Sequence, residues 1–259
     1  MILLKELVIT EFKLRYQGSV LGYLWSVMRP LFLFIIMYIV FVYFLKIGSD
    51  VPYWPVQLLL GIILWTFFSE VTNNGVGSIV GRGDVIRKIN FHKYVIVLSS
   101  SISAFINLGI NLLVLIVFMI ISGVQLRPEM LLAPIFILEL FVFALGIAFL
   151  LSALFVRLRD INYIWEIIMQ GLFYASIVIY PATMVIDKGV YFAQLLLLNP
   201  IAQVIQDTRH SLISQEAQTP YSLSGDILIT LTPIVIVILI TITGAWYFRR
   251  RSPYFAEEV

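Results

Sequence analysis

Apolar residues in this chain run in blocks far longer than the core of a soluble domain requires. The blocks 28–45, 56–80, 94–122, 130–156, 163–185 and 227–248 are separated by short polar connections. About 20 apolar helical residues cross the hydrocarbon core of a bilayer. The pattern therefore predicts an all-α polytopic membrane protein, one transmembrane domain over 1–259 with six transmembrane helices. Pro30 falls in the first turn of the first predicted span, where its missing N–H costs nothing. Segment 1–27 has another pattern. Leu3, Leu4, Leu7, Val8, Phe12 and Leu14 are interleaved with Lys5, Glu6, Glu11, Lys13 and Arg15, as in an amphipathic helix lying in the membrane interface.

Two connections stand out. Segment 81–93, GRGDVIRKINFHK, carries Arg82, Arg87, Lys88 and Lys93 against a single acid, Asp84, with Val85, Ile86 and Ile89 among the charges. That spacing suits a short surface helix. Segment 187–225 contains two runs, 191–198 and 201–213, each too short to cross a core of about 30 Å. Asn199 followed by Pro200 reads as an N-cap and a first helical position, so a helix restarts there. The expected arrangement is a re-entrant helical hairpin between the fifth and sixth spans, on the extracytoplasmic side, because broken backbone survives at membrane depth only within protein or along a cavity.

Composition agrees with a membrane protein: 61% hydrophobic, only 12% charged, mean hydropathy +0.99, where a soluble domain is about a quarter charged. The basic residues give an orientation. Lys5, Lys13, Arg15 and Arg29, the four of segment 81–93, Arg157 and Arg159, and Arg249, Arg250 and Arg251 fall on one side of a six-span topology. The other side holds only Lys46, Arg127, Lys188 and Arg209. The bias predicts that both termini and segment 81–93 are cytoplasmic. With no cysteine and only His92 and His210 as imidazoles, disulfides, a Cys nucleophile and a histidine-built metal centre are excluded. The charged, amphipathic opening does not read as a cleavable signal.

Candidate chemistry inside the spans is sparse. Glu70, Glu139 and Glu166 are intramembrane acids and so functional candidates, with helix-contact pairing as the competing reading. Ser99, Ser103, Asn107 and Asn111 recur every four residues, as do Ala144, Ala148 and Ser152; small, weakly polar faces of this kind point to close helix packing. Phe34, Tyr38 and Phe41 form an aromatic stripe in the first span, and Phe173 and Tyr180 are similarly spaced in the fifth. Spacing alone leaves them open between packing and a surface on which sugar rings slide.

The order of these parts resembles the permease subunit of ABC-2 type exporters, especially those for O-antigen, capsule and teichoic acid polysaccharides. The resemblance is carried by Phe12-Lys13-Leu14-Arg15-Tyr16-Gln17-Gly18-Ser19-Val20-Leu21-Gly22-Tyr23-Leu24-Trp25 with Arg29-Pro30, by Val85-Ile86-Arg87-Lys88-Ile89-Asn90-Phe91, by Arg159-Asp160 and by Leu198-Asn199-Pro200. After Phe91 the family usually has Pro, and this chain has His92. The resemblance implies a homodimer in the bacterial cytoplasmic membrane, paired with two copies of a separate ATPase that binds ATP and Mg. This chain would hold no cofactor, catalyse no reaction and bind no nucleic acid, and it contains no Gly-x-x-x-x-Gly-Lys-Ser/Thr sequence. By the same resemblance Asp84, Val85, Ile86, Arg87, Lys88, Ile89 and Phe91 form the coupling helix that the ATPase grips. Phe34, Tyr38, Phe41, Phe173 and Tyr180 line the channel. Arg15, Tyr16, Trp25 and Arg29 flank a cytoplasmic entrance where a lipid-linked diphosphate meets positive charge, and Asn199 and Pro200 belong to a gate. Competing expectations are an ABC-2 exporter of a drug or lipid, a proton-coupled carrier built on Glu70 and Glu139, and a membrane enzyme acting on lipid-linked sugars.

Overall fold

The computed structural model describes residues 6–10, 22, 24–88 and 91–258, and among them every regular element is helical. Helix α1 (Leu24–Met37) continues as a π-helix over Tyr38–Phe44. Next come α2 (Trp54–Gly77), the short α3 (Gly83–Lys88) and α4 (Tyr94–Ile121). A 3₁₀ turn, Pro128–Leu132, leads into α5 (Ala133–Arg157), and α6 (Ile161–Ala175) follows. Then come α7 (Val190–Leu197), α8 (Pro200–Leu212), α9 (Ile227–Arg251) and α10 (Phe255–Glu258). Among the described residues five helical stretches are long and apolar enough to cross a membrane: Leu24–Phe44, Trp54–Gly77, Tyr94–Ile121, Pro128–Arg157 and Ile227–Glu258. This is a multi-pass membrane protein. Residues 6–10 are helical as well; the rest of the expected interface segment up to Gly22 lies outside the described residues.

The centre of the bundle is α2, which is apolar on all sides over its first half, Val56–Trp65 apart from Gln57, and gathers polar residues only towards its end. A helix of that kind belongs inside rather than at a lipid boundary, and 78% of its apolar window is buried. Against it lies α4, antiparallel, with Phe67 on Phe105 and the Tyr53 hydroxyl donating to the Gly123 carbonyl. Ser99, Ser103, Asn107 and Asn111 are all buried on α4, which favours the packing reading of that polar face. On α5 the small face does the same: a Cβ on Gly75 would lie 2.6 Å from the Ala148 Cβ, so backbones meet where only small residues allow it. Helix α9 runs parallel to α5, with Thr241 Oγ1 donating to the Val142 carbonyl at 3.2 Å and the rings of Phe149 and Phe248 tilted against each other at 5.0 Å. Gly244 faces the Gly146 carbonyl so closely that no side chain fits between them.

The π-helix gives the first span a different geometry from the one expected. The helix begins at Leu24 rather than 28, so Pro30 sits inside it, beyond its first turn, and buried. Its last stretch widens, with Leu45 N–H donating to the Val40 carbonyl, five residues back, at 3.0 Å. Such widened turns are frequent at functional places in helices.

The expected fifth span, 163–185, is not one helix. Helix α6 has 15 residues, about 22 Å by helical rise, and stops at Ala175. Ile177 then takes a positive φ of 53°, an uncommon conformation for a β-branched residue. Helices α5 and α9 run parallel, and α6 with this irregular stretch lies between them along the chain. The carbonyls released where α6 ends are not left unpaired. The Tyr180 hydroxyl donates to the Tyr174 carbonyl, and Asn199 Nδ2 to the Ala175 carbonyl at 3.4 Å. Arg209 donates through Nη1 to Ile177 O at 2.9 Å and through Nη2 to Val178 O at 2.8 Å. The same guanidinium donates to the Gln57 carbonyl on α2 at 3.1 Å and to Gln206 Oε1 at 2.9 Å, and it lies over the Trp54 ring. Arg209 is 0% exposed. The sequence places it in a polar connection; the structure makes it the deepest cation of the bundle's described part.

Replacing Arg209 by Met leaves three buried backbone carbonyls without that donor and removes about 3 kcal/mol or more of stability. Thermal unfolding in detergent is expected to show a melting temperature lower by about 5 °C or more, and Arg209→Lys a smaller drop, because one ammonium cannot replace a planar fork. Gly61→Ala should act in the same direction, since its Cβ would lie 2.7 Å from Arg209 Nη2 and 3.0 Å from the Val178 carbonyl. Unchanged melting in all three variants would remove Arg209 as the brace of the interrupted segment.

Candidate functional site

The expected aromatic stripe of α1 divides. Phe34 is only 7% exposed, with its ring edge-on to Phe118 of α4 at 5.8 Å. It belongs to the buried core of the described bundle. Phe41 is half-buried against the core. Tyr38, where the π-helix begins, is exposed. On the other element Phe173 is half-buried with its ring edge-on to Trp65 at 5.3 Å, and Tyr180 is half-buried in the irregular stretch, its hydroxyl spent on the Tyr174 carbonyl.

The more open face of α6 was not singled out by the sequence reading. Tyr163, Glu166, Gln170 and Tyr174 are all exposed and follow one another three or four residues apart, hence on one side of the helix. These four alternate aromatic rings with a carboxylate and an amide, while Ile164, Ile167 and Ile168 stand exposed beside them. Asn162 Nδ2 donates to Glu166 Oε1 at 2.9 Å, which orients the carboxylate. The spacing was legible, but it was hidden inside a block counted only for its hydrophobic length.

Between α1, α2 and α4 lies a cavity of about 710 Å³. Trp25 and Arg29 of the expected entrance line it, and so do Trp65, Glu70, Asn73 and Asn74 of α2. Glu70 accepts from Asn107 Nδ2 at 2.9 Å, and Asn73 Nδ2 donates to Ser69 Oγ at 3.0 Å. The cavity opens towards the end of the bundle where segment 81–93 lies, since α1 starts and α2 ends there. Glu139 belongs to different surroundings: Gln203 Nε2 of α8 donates to it at 3.4 Å and to Asp207 Oδ2 at 2.6 Å. Burial pushes the Asp207 carboxyl up to about 6, with Gln203 and His210 pulling it back. Glu70 and Glu139 thus serve separate helix contacts. Among the described residues no group of three or more His, Cys, Asp or Glu could hold a metal ion.

The expected coupling segment is only partly an outward surface. In α3, Asp84, Val85, Arg87 and Lys88 are exposed, while Ile86 is 4% exposed within the apolar core. Its cover comes from the end of the chain: α10 packs on α3, Phe255 is 0% exposed, and its ring meets Phe248 at 5.3 Å. Ile86 is therefore an anchor holding α3 to the bundle, not part of a contact face. Phe91 is half-buried against the same core. Arg251 and Glu258 close α10 with an ion pair at 2.8 Å. Arg15, Tyr16 and Ile89 lie outside the described residues.

Asn199 and Pro200 take the positions their sequence predicted. The Asn199 side-chain oxygen accepts from Ile201 N–H at 3.0 Å, capping α8, and its Nδ2 also donates to Ser176 Oγ at 3.0 Å. One side chain thus ties the start of α8 to the end of α6.

Comparison with known proteins agrees with this arrangement. The chain is 26% identical over 257 residues to the O-antigen export system permease protein RfbA of Myxococcus xanthus, covering 99% of this chain and 95% of that one. It is 27% identical over 248 residues to an O-antigen export system permease protein RfbA of Klebsiella pneumoniae, covering 95% of this chain and 91% of that one. The family model for ABC-2 type transporters matches residues 2–213. The family match spans most of the chain's length, over an all-helical bundle with five helical stretches long and apolar enough to cross a membrane among the described residues: the chain belongs to the ABC-2 type transporter family.

Proposed function

We propose that this chain is the transmembrane subunit of an ATP-driven exporter that moves a lipid-linked O-antigen-type polysaccharide across the bacterial cytoplasmic membrane. The observation that carries the reading is the exposed face of α6, where Tyr163, Gln170 and Tyr174 stand open on a helix of a membrane bundle. Aromatic faces contact the apolar faces of sugar rings without fixing their position, which is what a moving polymer needs. Two such faces, one from each copy of a homodimer, together with Tyr38 of α1, would enclose the glycan. In this reading α6 and the irregular stretch after it act as the sixth crossing, and α7 and α8 form a re-entrant gate held shut against α6 by Asn199 and Arg209. The termini and α3 are cytoplasmic, in keeping with the basic residues gathered at that end.

Energy enters through a separate ATPase, two copies of which bind ATP and Mg. Its grip is on the exposed part of α3: Asp84, Val85, Arg87 and Lys88. Movement of α3 reaches the bundle through Ile86 and Phe255, since a buried pair transmits displacement better than a mobile surface contact. Similarity to O-antigen export permeases along nearly the whole chain supports polysaccharide over a drug or lipid as cargo.

Deleting the gene should trap a lipid-linked glycan on the cytoplasmic side and strip it from the surface; a normal surface glycan overturns the exporter reading. Complementation with Tyr38→Ala or Tyr174→Ala should lower surface glycan several-fold, with membrane insertion and ATPase co-purification unchanged. If both variants export normally, these rings are not the track. Arg87→Glu with Lys88→Glu should leave the bundle folded but abolish ATPase stimulation. Phe255→Ala uncovers Ile86 at a cost of about 3 kcal/mol and should weaken coupling without touching that charged face. Full coupling in the double charge reversal would leave α3 as a basic anchor only.

A further inference from the structure

The cavity between α1, α2 and α4 is more than an opening beside the first helix. We infer that it is a saccharide-binding subsite, in which Trp65 and Trp25 take the apolar face of a sugar ring while Glu70, Asn73 and Asn107 bind its hydroxyl groups. The inference rests on the exporter reading for the source of the sugar, but its argument comes from the cavity. The volume, about 710 Å³, falls among those that hold small molecules, roughly 300–1,000 Å³, and has room for more than one hexose ring.

The lining decides the chemistry. Amides and a carboxylate beside two indole rings offer both acceptors and donors next to flat apolar faces, the combination a pyranose presents in reverse. A diphosphate fits less well: Arg29 brings one positive charge, but Glu70 in the same wall brings a negative one, so the described lining has no net attraction for a dianion. Asn107 points the same way. It is 7% exposed, its Nδ2 is engaged by Glu70, and its Oδ1 has no hydrogen-bond partner among the described residues. A buried acceptor without a donor costs about 1–3 kcal/mol, and a small rotation of the Asn107 amide at the cavity wall would let a sugar hydroxyl pair with it. A site built to meet a hydroxyl also rejects ligands that lack one.

The position suits a holding site near the start of the path. Trp65 forms one wall of the cavity and also meets Phe173 edge-on at 5.3 Å, and Phe173 adjoins Tyr174 at 5.5 Å. A sugar leaving the cavity thus passes along an unbroken series of rings to the exposed face of α6.

The test uses the full-length chain purified with its ATPase subunit in nanodiscs, probed by saturation-transfer NMR. The probes are neutral disaccharides of hexose, deoxyhexose and N-acetylhexosamine units, and, separately, inorganic pyrophosphate and glycerophosphoethanolamine. At least one disaccharide class should receive saturable transfer, weakened about tenfold or more in Trp65→Ala and Asn107→Leu. Asn73→Leu, at the exposed rim where folding is not at stake, should weaken it as well, while Tyr191→Ala on α7 leaves it unchanged. Transfer that is absent for every disaccharide, or equal in the parent and all three cavity variants, overturns the subsite. So does saturable binding of pyrophosphate or of the lipid headgroup probe in place of the disaccharides. A chain that fails this test but still exports its glycan loses the subsite alone, whereas a gene deletion that traps no glycan removes the exporter reading itself.

Discussion

Where α6 stops, the backbone must find donors for the carbonyls that its last turn can no longer pair. In an apolar bundle each such group costs several kcal/mol if left alone, and this single requirement fixes much of the rest. Helix α8 meets it with two side chains, Asn199 at its first turn and Arg209 in its last. Because the Arg209 guanidinium also bonds to Gln57 and lies over Trp54, the interrupted segment, α8 and the start of α2 are locked in one arrangement. The exposed face of α6 is aimed by that arrangement. Its direction is therefore a consequence of backbone hydrogen bonding some way from the rings themselves.

At the other end of the bundle the constraint is steric. Gly75 on Ala148, and Gly244 on Gly146, allow α2, α5 and α9 to approach at backbone distance, where dispersion between closely fitted surfaces replaces the hydrophobic driving force that lipid does not supply. Beyond α9 the chain brings Phe255 against Phe248 and packs α10 on α3, where Ile86 is buried in the same core. The short basic helix α3 thus packs against α10, far from it in sequence. Charges on α3 can then face outward, because its apolar residue has been taken up inside.

Much of this was legible in the residues. Five of the six predicted blocks became long helices with ends within a few residues of expectation, since hydrophobic length is a one-dimensional property. The small face of α4 and the Asn199-Pro200 helix start were equally local and equally readable. The fifth block, 163–185, misled because it is mostly apolar while only its first part is helical; nothing in hydrophobicity separates a helix from buried irregular backbone that distant side chains satisfy. The burial of Phe34 and Ile86 was hidden for a related reason. A helical stripe states which residues share a side, not which neighbour that side will meet.

The sequence by itself determined an all-helical membrane bundle, the charge asymmetry of its two ends and the family to which it belongs, because these depend on runs, counts and short motifs. Tertiary structure decided that Arg209, an apparent loop cation, is the buried brace of α6, that Glu70 and Glu139 have separate partners, and that Trp25, Arg29, Trp65 and Asn107 surround one cavity. Each of these joins residues distant along the chain, and only the close approach of helices at their glycines and alanines brings such residues within hydrogen-bonding and van der Waals reach.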